Sequence, residues 1–184
     1  MTYLLIARLN ARLRPMDRGE LYEDPLGETL TQAGAGEVTG GGTQLGANFE
    51  VDCCDLEIES KLPLEAAAPL IVKTLEELGA PKGSSLRDGA SGQQLVFGRT
   101  EGLGLYLNGT DLPAEVYQTA DVNFLFEEIN RLTEGCGSIQ SYWEGATETA
   151  LYVYGNSFAE IRQKIQSLID TYPLCQQCRV VQIA

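Results

Sequence analysis

The 184-residue chain contains no histidine. That removes the commonest general base, the usual proton shuttle and the commonest metal ligand, so catalysis would fall to carboxylates, cysteine, tyrosine, lysine or a cofactor. Basic residues are scarce: 13 Lys and Arg stand against 26 Asp and Glu, a formal charge of −13. Such a surplus opposes non-specific binding to nucleic acid or to an anionic membrane, and suits solubility, a cation or a basic protein partner. No apolar run approaches the length of a membrane span. The opening residues Met1 to Arg8 lack a basic stretch ahead of a long apolar one, so no secretion signal is expected. Five cysteines, an odd number, fit the reduced thiols of a cytoplasmic protein better than a disulfide framework. What is present suffices for a core, with 43% hydrophobic and 21% charged residues.

The most informative stretch runs from Gly34 to Gly46 and contains Gly40, Gly41 and Gly42. It has an echo from Gly135 to Gly145: Gly34 falls on Gly135, Gly36 on Gly137 and Val38 on Ile139, while the glycine triplet falls on Ser141, Tyr142 and Trp143. The chain reads as two copies of one unit, residues 1–92 and 93–184.

In the first copy, alternation from Tyr3 to Leu13 predicts a strand. Residues 14–24 read as a loop, with Asp24 as N-cap of a helix opened by Pro25 and closed at Gly34. Glu37 to Gln44 is expected as a glycine-rich strand, with Asn48 in the turn beyond it. Val51 to Ser60 follows as a strand with Cys54, Leu56 and Ile58 inward, then a helix near Leu64 to Leu78 that Pro69 delays or bends, and a short strand from Ser84 to Arg87. Leu95 to Phe97 sits in the junction and either extends that strand or pairs with the next. The second copy repeats the order: a strand around Leu103 to Leu107, a helix from Asp121 to Thr133, strands from Ser138 to Trp143 and Thr147 to Tyr154, a helix capped by Asn156 or Ser157, and a final strand from Arg179 to Ile183.

Strand, helix, strand, strand, helix, strand, twice over, resembles the ferredoxin-like arrangement, which implies an α+β fold with helices covering one face of each antiparallel sheet. The wording Arg18 to Pro25 followed by Gly36 to Thr43 resembles uncharacterised bacterial proteins of tandem ferredoxin-like architecture. The open face of the first copy is then Arg8, Asn10, Arg12, Glu37, Thr39, Gly41, Asp55, Glu57 and Glu59, with cross-strand opposite charges. That of the second is Tyr106, Asn108, Ser138, Gln140, Tyr142, Tyr152 and Tyr154, suited to stacking, to an interface or to burial against the other copy.

The glycine triplet reads as a place of close backbone approach or as amides cradling an anion. No Lys-Ser/Thr follows it, so it is no P-loop, and it lies between helix and strand, so it is no dinucleotide fingerprint. Cys175 and Cys178 have CxxC spacing but follow a helix and precede the last strand, the wrong setting for the redox motif, and zinc would need two further ligands. No metal, cofactor or catalytic residue is therefore assigned. The expected binding region is Arg8, Arg12, Arg18, Glu20, Tyr22 and Thr39 with Gly40, Gly41 and Gly42. The reading favours a non-enzymatic acidic binding protein whose partner is a basic protein, in an immunity-like role, or a second copy of itself. The alternative is a sensor or enzyme for a small anionic ligand near the glycine-rich strand and first loop.

Overall fold

A computed structural model describes residues 2–184. Two compact units divide the chain, one of residues 1–47 and 51–100, the other of residues 48–50 and 101–184.

The first unit opens with β1 (Tyr3–Leu9), whose alternate residues Leu5, Ala7 and Leu9 are fully buried. Residues 15–32 are helical throughout, so the expected loop over 14–24 is absent. Pro15, at the first helical position where no N–H is missed, starts α1 (Pro15–Arg18), which runs through a π-helical turn (Gly19–Glu23) into α2 (Asp24–Gln32). Pro25 explains the turn. In a regular helix its ring would strike the carbonyl four residues back, and widening the preceding turn to an i→i−5 bond, Asp24 N–H to Gly19 O, relieves this. Asp24 is thus helical and caps nothing. The helix ends as expected at Gly34, φ 63, with Ala35 N–H returning to Leu30 O.

β2 (Gly36–Leu45), β3 (Val51–Ser60), α3 (Leu64–Glu77), β4 (Ser84–Asp88) and β5 (Gln94–Phe97) complete this unit. α3 contains Pro69 at its sixth position without interruption. The sheet order is β2-β3-β1-β4-β5, every pair antiparallel. β5 neither extends β4 nor pairs with the next strand in sequence; it forms a hairpin with β4, Leu86 opposite Leu95, so the first unit reaches Thr100, where sequence had drawn the line at 92. α2 and α3 pack on one face, closing a core of Leu26, Leu30, Leu56, Ile58, Ile71, Leu75 and Leu86.

The second unit contains β6 (Glu101–Asn108), α4 (Ala114–Thr119), α5 (Val122–Leu132), β7 (Gly137–Glu144), β8 (Glu148–Gly155), α6 (Phe158–Thr171) and β9 (Arg179–Gln182). Asp121 caps α5 and Ser157 caps α6 through their side chains. The sheet order β7-β8-β6-β9 repeats the first unit's β2-β3-β1-β4. Leu103, Leu105, Leu125, Ile129, Leu151, Val153, Ile161 and Ile165 fill its core. The chain is a tandem of ferredoxin-like units of the α+β class.

The repeat extends to an irregularity. In β2 the register against β3 slips between Val38 and Gly40, and in β7 it slips against β8 between Ile139 and Ser141. One extra residue, Thr39 or Gln140, is inserted at the same position of each copy. Because side chains alternate, an inserted residue reverses the facing of everything beyond it. Gly41 therefore lies opposite Leu56 on the helix side, and Tyr142 opposite Leu151, also on the helix side. Both were expected on the open faces.

Candidate functional site

The structure separates the residues that sequence had grouped. Arg8 is on the open face, its guanidinium bound to both oxygens of Asp55 at 2.8 and 2.9 Å, a bidentate pair that raises the Arg8 pKa. Arg12 lies beyond β1, half-buried, and Glu20 is exposed on the π-helical turn. Arg18 and Tyr22 are buried on the helix side. Thr39 is the bulged residue, Gly40 and Gly42 face outward opposite Glu57 and Asp55, and Gly41 faces inward.

What does converge is Arg18, Glu23, Gly41 and Thr43. Arg18 Nε lies 2.5 Å from Glu23 Oε1 and its Nη1 donates to Thr43 Oγ1 at 2.6 Å. A Cβ on Gly41 would stand 2.3 Å from Glu23 Oε1, 2.9 Å from Arg18 Nε and 2.9 Å from the Asp55 carbonyl. The middle glycine is what lets a charged pair lie flat under the edge strand. The signal in sequence was the Arg18-to-Glu23 spacing beside a triple glycine, but five residues apart is not a regular helical contact; the π-helical turn makes it one. Beneath the pair, burial pushes the Cys54 thiol up to about 12 and raises the Tyr22 phenol, whose hydroxyl has no hydrogen-bond partner. Neither is a nucleophile at neutral pH.

The open face of the same sheet is different in character. β2 is an edge strand of ten residues. Gly40 and Gly42 leave its outer face bare, and around them stand Glu37, directly opposite Glu59, and Glu57, opposite Gly40. All three carboxylates are exposed, and none has an ion pair among the described residues. Like charges facing across a ladder cost stability, and Glu37 and Glu59 face each other in this way. At the other side of that face, Ile6, Arg8, Gly83, Ser85, Arg87 and Gln94 line a shallow cavity of about 220 Å³, where Arg87 has no acidic partner among the described residues.

The second unit has a polar cluster that sequence reasoning did not find. Glu50, which belongs to this unit through the segment 48–50, accepts from the hydroxyls of Tyr106 at 2.5 Å and Tyr152 at 2.8 Å. Arg179 stacks 4.3 Å over the Tyr106 ring and forms a bidentate bridge to Glu148, which holds the Glu148 carboxyl below its ordinary value. Tyr106, Tyr152 and Tyr154 are buried. The fourth expected tyrosine, Tyr142, packs against the core of its own unit instead.

No family model matches the chain, and no curated protein does. Among solved structures, the chain is similar to an unknown protein from Galdieria sulphuraria, 11% identical over 99% of this chain and 98% of that one, with a TM-score of 0.33. It is also similar to the regulatory subunit of aspartate kinase from Thermus flavus, 10% identical over 91% and 94% of the two chains, TM-score 0.28. The first two RRM domains of yeast poly(U) binding protein give 10% identity over 98% and 99%, TM-score 0.26. At such scores these likenesses bear on no residue of this chain, and the fold stands on its strand order and register. No helix among the described residues is long and apolar enough to cross a membrane.

Proposed function

We propose that this chain is a non-enzymatic acidic binding protein that takes up a basic, extended segment of a protein partner as an added strand along β2. The observation that carries this reading is the bare, exposed edge strand with Glu37, Glu57 and Glu59 unneutralised on its open face. An unpaired sheet edge offers a row of backbone donors and acceptors, and main-chain bonds to such an edge supply affinity while alternate side chains supply specificity. Lysine or arginine at every second position of the incoming strand would meet the carboxylates. The overall charge of −13 would speed the encounter. An immunity-like pairing with a basic toxin or nuclease fits this chemistry, as does a reducing cytoplasm for five free thiols. Pairing of β2 with β2 of a second copy would bring two acidic faces together, which disfavours self-association.

A synthetic peptide alternating lysine and valine is the probe. Its binding should weaken as salt rises, should protect the amides of Gly40 to Thr43 from hydrogen exchange, and should weaken about tenfold in a Glu37→Lys, Glu59→Lys variant. Absence of binding, or protection appearing only outside β2, would overturn the reading. The second reading is a small anion in the cavity beside Arg8 and Arg87. A thermal shift with small carboxylates or phosphates that Arg87→Ala abolishes would favour it over the first.

A further inference from the structure

The CxxC pair, set aside in sequence because it follows a helix, occupies a conformation that changes its meaning. Past α6 a short 3-10 turn, Pro173–Cys175, leads into the segment from Cys175 to Cys178. The Cys178 amide donates to the Cys175 carbonyl at 3.2 Å. Gln176 has φ −60 and ψ 131, and Gln177 has φ 59. These are the angles of a type II β-turn, whose third position ordinarily needs glycine or asparagine. Glutamine sits there against its backbone preference, its side-chain Oε1 accepting from Asn108 Nδ2 at 3.2 Å. Strained backbone of this kind gathers at functional sites. A β-turn brings its first and fourth Cα atoms within about 7 Å, and a disulfide spans Cα atoms about 4.4–6.8 Å apart. The two thiols are near enough for each to shift the other's ionisation.

We propose that Cys175 and Cys178 form a thiol–disulfide exchange site for low-molecular-weight disulfides, with Cys178 attacking and Cys175 resolving. Their exposure assigns the roles: Cys175 is only 4% exposed and belongs to the core, whereas Cys178 is half-buried and reachable. The neighbouring Cys175 and the Cys178 amide draw the Cys178 thiol below its ordinary value, against partial burial and the charge of Asp170, both of which push it up. Cys175 is raised correspondingly and stays protonated until it resolves. The other three thiols are all raised by burial, so none competes at neutral pH.

The reaction balances without any bound group. Cys178 thiolate attacks one sulfur of the small disulfide, breaking its S–S bond and releasing one thiolate. Cys175 then loses its proton to that thiolate or to water and attacks Cys178 Sγ, forming the Cys175–Cys178 bond and expelling the second thiolate. The small disulfide is reduced to two thiols and the protein pair is oxidised by two electrons.

The purified chain, equilibrated with graded mixtures of reduced and oxidised glutathione and then alkylated, is read by peptide mass. Oxidation should produce a Cys175–Cys178 disulfide while Cys53, Cys54 and Cys136 remain fully alkylated after denaturation. A Cys175→Ala variant should instead accumulate glutathione on Cys178. At pH 7, iodoacetamide should modify Cys178 about tenfold faster than Cys53 in the native protein, and this advantage should vanish in Cys175→Ala. A pair that stays reduced in the most oxidising mixture overturns the proposal, as does a Cys178 no faster than Cys53. Both readouts are taken on the unaltered chain, so a variant that fails to fold does not shield the proposal.

Discussion

Gly41 and Tyr142 occupy the same position of the same strand in two copies of one fold, each past an equivalent bulge and each facing the helix side. In the first unit that position is empty of side chain, and the space below it holds the Arg18–Glu23 pair with its bond to Thr43. In the second it holds an aromatic ring packed on an apolar core. The two solutions fill one slot with different chemistry. A ring stabilises by area removed from water. A buried pair stabilises little in net terms, because desolvation offsets most of its attraction, but it is costly to break by halves. At this slot the first unit therefore carries a demand for an intact partner set that the second does not.

The largest effect expected from breaking this contrast is Arg18→Met, which leaves Glu23 uncompensated and Thr43 without its donor. It should lose about 3 kcal/mol in chemical denaturation, whereas the double variant Arg18→Met, Glu23→Leu should recover most of that loss by making the first unit resemble the second. A neutral single variant would show that the pair is dispensable. Next comes Tyr142→Gly, which gives the second unit the first unit's residue with nothing to fill the space. About 2 kcal/mol should go, less than for a fully buried aromatic because the ring is half-exposed. The smallest effect concerns the Glu148–Arg179 bridge. Arg179 holds the Glu148 carboxyl below its ordinary value of 4.5, so the folded state binds this proton less readily than the unfolded one. The bridge's contribution is present above pH 4.5 and is lost as pH falls below it. Stability of wild type minus Glu148→Gln should therefore narrow on acidification, by less than about 1 kcal/mol for so exposed a pair. A difference that grew toward low pH would have the sign reversed.

Much of this architecture was legible in advance because periodicity survives in residue order. Leu5, Ala7 and Leu9 alternate and are buried; Ile161, Ile165 and Leu168 recur at helical spacing and pack on the core. Arg8 beside Asp55 followed from knowing that first and third strands are neighbours. The expected binding region fared differently. Its members lie on two faces of one sheet, since the assumption of a loop over 14–24 left Arg18 and Tyr22 free to reach Arg8. Proline at 25 looked like a helix start because, without the widened turn ahead of it, that is what proline at such a place means. The CxxC pair was judged by its neighbours in sequence, while its turn angles, which decide whether two sulfurs meet, leave no mark on composition.

By itself the residue order determined the α+β class, the doubling of the unit and the placing of every strand but β5 and of α2, α3, α5 and α6, because side-chain alternation and helical period are local and repeat in both copies. Tertiary structure alone decided which face Gly41 and Tyr142 occupy, that Gln94 to Phe97 closes the first sheet, and that Arg18 finds Glu23. Each of these turns on a single inserted residue, a strand's choice of partner or a widened turn, and such choices are settled by which arrangement buries the apolar faces and satisfies the backbone of the whole unit.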